Sequence, residues 1–186
     1  MKNHIFLAFL VCTAVLGGCG TFVSGGRTGS APMVQSIGGD DKVALLPVAN
    51  FTDVPQAGLR VEALLEPALR KIGLRQLLMY PPTLNPETLF EPSERKAQQE
   101  AEKWARTQGV RYVVVAAVNE WRYKVGVDGE PAVGLMVQVK DLESGLVVYS
   151  SAGGRTGGSR EALSAVGLQL TAELVSGIRI DTQKRL

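Results

Sequence analysis

Between Val110 and Gly154 the apolar positions fall into three consecutive runs that read as strands. The first, Tyr112 to Val125, opens with Val113-Val114-Val115-Ala116-Ala117-Val118, apolar at both parities, as expected of a strand buried on both faces. From Asn119 onward the period becomes two: Trp121, Tyr123 and Val125 share one face, while Glu120, Arg122 and Lys124 share the other. The strand therefore runs out of the core toward an edge or a partner. Gly126-Val127-Asp128-Gly129-Glu130-Pro131 supplies the positive φ angles of a hairpin turn, and Val133, Leu135, Val137 and Val139 then mark a second strand, buried on one face. A further turn, Asp141-Leu142-Glu143-Ser144-Gly145, leads into a third strand, Leu146 to Ser151.

The same reading places a short buried strand at Lys42 to Val48, followed by a turn at Asn50-Phe51-Thr52-Asp53. Val61, Leu64, Leu65, Ala68, Leu69 and Ile72 then form one helical stripe, with Gly73 as the residue just past the helix end. Arg60, Glu62, Glu66, Arg70 and Lys71 are expected to face water. Leu74 to Tyr80 is an edge strand, interrupted by Arg75 and Gln76. Tyr80 to Pro92 holds four prolines in thirteen residues, too many for a regular element. Ser93 caps a second helix whose Ala97, Ala101, Trp104 and Ala105 make a narrow stripe ending at Gly109, with Trp104 as core. A last helix is expected from about Ser159 to Ile178, with Leu163, Val166, Leu170, Leu174 and Ile178 on one side. Before it, Gly153-Gly154-Arg155-Thr156-Gly157-Gly158 is a glycine-rich loop. It lacks the Gly-Lys-Ser/Thr ending of a phosphate loop and follows an antiparallel strand, which argues against nucleotide binding.

The order strand, helix, strand, helix, three meandering strands and helix implies an α/β fold: a mixed sheet ending in an antiparallel meander, flanked by about three helices. At 186 residues and 45% hydrophobic content, one domain with one core is expected.

The N-terminus changes the chemistry. Met1-Lys2-Asn3-His4 is a basic start, Ile5 to Val15 is an apolar run too short to span a bilayer, and Leu16-Gly17-Gly18-Cys19 matches a lipobox. Residues 1–18 therefore read as a lipoprotein signal peptide and Cys19 as the lipid attachment site, with acyl chains in the inner leaflet of the outer membrane. Gly20, rather than Asp, follows the cysteine, which favours outer-membrane sorting. Residues 19–40 form the lipidated cysteine and a flexible Gly/Ser/Thr/Ala tether, with a reach of roughly 25 Å. The domain is expected over 41–180 and a frayed tail over 181–186.

Processing discards His4 and Cys12, the only histidine and the only cysteine besides Cys19. A mature chain without histidine or free thiol has no disulfide, no Cys/His zinc site, no Ser-His-Asp triad and no catalytic cysteine. The sequence calls for no metal and no cofactor, and no carboxylate pair suggests glycan hydrolysis. With Lys2 gone, 19 basic side chains remain of the original 20, against 18 acidic. That balance gives no general attraction to nucleic acid.

One stretch carries a resemblance. Glu120-Trp121-Arg122-Tyr123-Lys124-Val125-Gly126-Val127-Asp128-Gly129-Glu130-Pro131-Ala132-Val133-Gly134-Leu135, the Asp141 to Gly145 turn, and Gly158-Ser159-Arg160-Glu161-Ala162-Leu163-Ser164 closely resemble the PelC family, outer-membrane lipoproteins of Pel exopolysaccharide export. The likeness weakens toward the N-terminal half, and the chain departs from the family pattern at Tyr149, where a Trp is expected. Tyrosine also has an apolar body and a polar tip. The resemblance implies the α/β fold shared with the N-terminal domain of TolB. It implies a homo-oligomeric ring, expected as a dodecamer, beneath the outer-membrane β-barrel PelB, through which the cationic Pel polysaccharide is guided.

Such guidance needs carboxylates repeated around a ring. Asp128, Glu130, Asp141 and Glu143, in the two meander turns, either line the polymer path or are ordinary turn residues. Because the turns lie at opposite ends of the middle strand, one pair at most faces one opening, and Asp128 with Glu130 is preferred. Trp121, Tyr123 and Tyr149 either meet the membrane or a neighbouring subunit, or cover the core beneath the helices. The alternative function is a periplasmic adaptor that binds a protein partner, through the Pro-rich loop, without touching polysaccharide.

Overall fold

The computed structural model describes residues 36–81, 84, 94–126 and 129–181. The signal peptide, Cys19, most of the tether, most of the Pro-rich loop with Ser93, Val127 with Asp128, and residues 182–186 lie outside the described residues.

Among the described residues, eight strands and three helices follow in chain order: β1 (Ile37–Gly38), β2 (Lys42–Leu45), β3 (Ala49–Asn50), α1 (Ala57–Lys71), β4 (Gln76–Met79), α2 (Glu94–Thr107), β5 (Tyr112–Tyr123), β6 (Pro131–Asp141), β7 (Val147–Thr156), α3 (Leu163–Val175) and β8 (Ile180–Asp181). The main sheet runs β4-β2-β5-β6-β7, with β3 also on β5. β2 pairs in parallel with β4 and β5, whereas β5, β6 and β7 form the antiparallel meander. The mixed α/β sheet expected from the sequence is thus the fold, with β4 at one edge as read.

The double parity of Val113 to Val118 has its physical counterpart in two cores. Tyr112, Val114, Ala116 and Val118 join Val61, Leu65 and Leu69 of α1 and Val166, Leu170 and Leu174 of α3 on one face. Val113 joins Ala101 and Ala105 of α2 on the other, with Ala44, Leu46 and Leu142. Trp104 is only half-buried there and meets Tyr80 edge to face, with centroids 5.2 Å apart.

Several boundaries differ from the sequence reading. The run at Lys42 to Val48 is broken after Leu45, because Pro47 has no N–H to give a ladder. The pairing with β5 resumes at Ala49, opposite Ala117. The third meander strand runs on to Thr156, so Gly153-Gly154-Arg155-Thr156 is strand rather than loop. Those residues lie opposite Leu135, Gly134, Val133 and Ala132, and ladder bonds override the weak strand propensity of glycine. The last helix is shorter than expected at both ends. Glu161 turns back to accept the Gly158 N–H at 2.8 Å, which holds the chain in a turn until Ala162. Ile37, assigned to the tether, is 2% exposed, and β1 pairs with β8 to tie the entry of the domain to its exit, including Asp181 of the expected tail.

Glu62 also departs from expectation. It does not face water: its Oε1 accepts the Val48 N–H at 2.9 Å. This bond lies beside a close approach, since a Cβ on Gly58 would stand 2.4 Å from the Val48 carbonyl oxygen.

Candidate functional site

The β5–β6 hairpin closes where the Lys124 N–H donates to the Glu130 carbonyl at 2.7 Å, and Gly129 takes φ +53°, as the Asp-Gly turn anticipated. Asp128 lies outside the described residues. Glu130 is exposed. Its surroundings are mixed in sign. Arg122 pairs with Glu120 at 3.0 Å, and Lys124 Nζ donates to Thr156 Oγ1 at 3.0 Å, so neither cation is bound to Glu130.

The other turn is built differently. Asp141, the last residue of β6, is 3% exposed. Its Oδ1 accepts the N–H groups of Glu143 at 2.8 Å and Ser144 at 3.4 Å, and Gly145, at φ +73°, donates to its carbonyl. The carboxylate therefore shapes the turn it belongs to. Arg111 stands between the two acids, 3.8 Å from Asp141 Oδ2 and 3.7 Å from Glu143 Oε2, and its guanidinium lies 5.0 Å from the Tyr112 ring centroid. Glu143 is exposed, with a cation already beside it. The two turns are separated by the eleven residues of β6, roughly 33 Å, so the structure does not bring the acidic candidates together.

The three aromatic candidates have different environments. Trp121 is 3% exposed, inside the core beneath α3. Its indole N–H is buried and has no hydrogen-bond partner among the described residues. Tyr149 is half-buried against the same core, and its hydroxyl donates to the Leu174 carbonyl at the end of α3. Burial pushes its pKa upward. Tyr123 is 52% exposed and accepts the Leu163 N–H, the first of α3, at 3.2 Å. Exposed apolar side chains lie near both: Val125 past Tyr123, and Leu146 and Val147 just before Tyr149.

Sequence reasoning missed an open groove of about 790 Å³ on the sheet face that α2 leaves uncovered. Its lining includes Phe51 and Asp53 after β3, Glu120 and Arg122 of β5, and the small residues Gly134 of β6 and Ala152 of β7. The signal in the sequence was the run of small residues at alternate positions of two adjacent strands, which a strand pattern alone records as filler. Among the described residues no group of three or more carboxylates is placed to hold a metal ion, and no helix is long and apolar enough to cross a membrane.

No family model matches the chain, and a search of curated proteins found no match. Solved structures do match. The chain is 35% identical to a PelC dodecamer from Paraburkholderia phytofirmans, with 88% of this chain and 100% of that one covered and a TM-score of 0.68. A substituted form of the same protein in another crystal form, also a dodecamer, gives 36% identity, 87% and 99% coverage, and a TM-score of 0.66. The lipoprotein GNA1162 from Neisseria meningitidis shares the fold, at 18% identity and a TM-score of 0.53 over 74% of this chain and 97% of that one. Identity above one third along nearly the whole length of the PelC structures places this chain in the PelC family.

Proposed function

We propose that this protein is a non-enzymatic, lipid-anchored component of Pel exopolysaccharide export, a ring of identical subunits held at the periplasmic side of the outer membrane. The observation that carries the reading is the likeness, over 88% of the chain, to a PelC structure that is a dodecamer. Acylated Cys19 fixes the protein to the inner leaflet, and the tether lets the domain lie against it. The ring guides a cationic polymer toward the β-barrel PelB.

The charge argument supports this mechanism. A net charge near zero on one subunit gives little field, but one or two carboxylates repeated around a closed ring add up and are focused by a narrow opening. Asp128 and Glu130 are the proposed lining residues, because Glu130 is exposed and unpaired with the nearby cations. Asp141 is assigned to its turn, and Glu143 is screened by Arg111. The mature chain has no histidine or free thiol with which to run common hydrolytic chemistry, in keeping with a guide rather than an enzyme.

Native mass spectrometry of the mature, Cys19-acylated protein in detergent, beside the unlipidated fragment starting at Gly20, tests the ring. A single large oligomer is expected, and its persistence in the fragment would assign assembly to side chains and backbone. Monomers in both samples would overturn the proposal. For the guiding role, Asp128→Asn with Glu130→Gln is expected to impair polymer secretion while the oligomer survives; undiminished secretion would remove these two residues from the path.

A further inference from the structure

We propose that the outer edge of β7 is a strand-pairing surface that receives an extended segment of a second copy of this chain. The inference rests on the ring reading above and names the surface by which the copies meet.

β7 is the last strand of the main sheet and is ten residues long. Its odd-numbered residues bond inward. Tyr149, Ser151, Gly153 and Arg155 lie opposite Val139, Val137, Leu135 and Val133, and the ladder ends with the Gly157 N–H donating to the Pro131 carbonyl at 2.9 Å. Hydrogen-bonding direction alternates along an antiparallel strand, so the N–H and C=O groups of Ser150, Ala152 and Gly154 point away from β6. Among the described residues no strand and no side chain takes up those N–H groups.

Proteins that must keep such an edge empty shorten it, twist it, or place lysine or proline along it. β7 contains neither lysine nor proline. Its outward-bonding residues are small and exposed, so another backbone can approach to ladder distance without displacing side chains. The strand is entered through Leu146 and Val147, which are 66% and 48% exposed and offer apolar contact at one end of the new pair. Midway along the strand, Ala152 borders the groove, which leaves room for alternate side chains of an incoming strand on the uncovered face.

A second copy is the occupant that fits. A closed ring is built from heterologous contacts, in which one surface of each subunit meets a different surface of the next. An unfilled edge on one side of a sheet is such a surface. A β7–β7 pair would be isologous and would by itself stop at two copies, so a ring requires a different segment of the neighbour, and β4, with four residues, can match only part of the ten-residue β7.

Proline at an outward position of an edge strand removes a free donor but no ladder bond. Ala152→Pro should therefore leave the fold intact and prevent pairing. Ser151→Pro, one residue away, removes an inward bond and should lower the unfolding midpoint. Ala152→Lys is a second route to the same result, by charge. Native mass spectrometry of the acylated protein in detergent, with circular dichroism melting of each variant, reads both properties. Expected are a large oligomer for the parent protein, monomers for Ala152→Pro and Ala152→Lys, and melting close to the parent for Ala152→Lys. An oligomer that survives both Ala152 variants overturns this inference and leaves the ring reading standing. A monomeric parent protein overturns both.

Discussion

The six-membered ring of Trp121 lies against Gly167 of α3, so closely that a Cβ built on that glycine would stand 2.7 Å from Cη2 and 2.9 Å from Cζ3 of the indole. A glycine inside a helix ordinarily weakens it by about 1 kcal/mol relative to alanine. Here the missing side chain is the space in which the tryptophan sits. Gly167→Ala sets the helix gain against overpacking of about 1–3 kcal/mol. With backbone on one side and the buried ring on the other, overpacking wins, and urea unfolding followed by Trp fluorescence should show a net loss. A gain in stability would mean that the ring has room to shift.

Glu62 is a carboxylate whose burial raises its pKa above 4.5, an effect that the bond from the Val48 N–H only partly opposes. A raised folded-state pKa means that the folded state takes up the proton more readily than the unfolded one. Stability from this group is therefore fully present below pH 4.5 and is lost as pH rises through the folded pKa. Glu62→Gln keeps an acceptor for Val48 without the charge. At pH 7 it should match or exceed the parent protein in thermal stability, and the difference should vanish below pH 4.5. Glu62→Ala leaves the Val48 N–H buried and unpaired and should cost about 1–3 kcal/mol at either pH. A Gln variant less stable than the parent at pH 7 would contradict this assignment.

These two residues also mark how far the sequence could be read. Alternation and helical spacing located every long element, because a strand or helix that buries one face must repeat its apolar residues with the period of its backbone. Periodicity, which knows only polar and apolar, points Glu62 toward water, and nothing local announces that a backbone donor left free near Pro47 waits on its path. Gly153 and Gly154 read as a loop by propensity, which speaks for the isolated segment, whereas β6 supplies the ladder. The acidic candidates were legible as turn residues. That Asp141 folds inward to shape its turn while Glu130 stays in water depends on which oxygen meets which N–H, and sequence spacing does not encode it.

Asp141 and Glu143 should consequently differ in how much stability their replacement costs. Asp141→Ala removes the acceptor for two turn N–H groups from a site that is 3% exposed, and a loss of about 1–3 kcal/mol is expected in thermal or urea unfolding. Asp141→Asn retains an acceptor oxygen and should fall between. Glu143→Gln disrupts only a long, exposed contact with Arg111 and should change stability by less than about 1 kcal/mol. Equal losses for Asp141→Ala and Glu143→Gln would show that the ion pairs, rather than the turn bonds, hold this corner.

Tyr149 offers the last test, because it joins β7 to α3 through a single hydroxyl. That hydroxyl donates to the Leu174 carbonyl, and the ring packs against the core. Burial raises its pKa above 10.0. The neutral phenol is the form the fold accepts, so the contribution is fully present below pH 10 and declines as pH rises through the folded pKa. Tyr149→Phe keeps the apolar body and deletes the donor, and at neutral pH should cost about 0.5–1.5 kcal/mol. The variant lacks the ionising group, so the gap between it and the parent should narrow above pH 10 and then change sign as the phenolate forms. Tyr80 and Tyr112, whose pKa values are also raised by burial, titrate in both proteins and drop out of the difference. A gap that stays constant from pH 7 into the alkaline range would show that the hydroxyl is not the link between the strand and the helix.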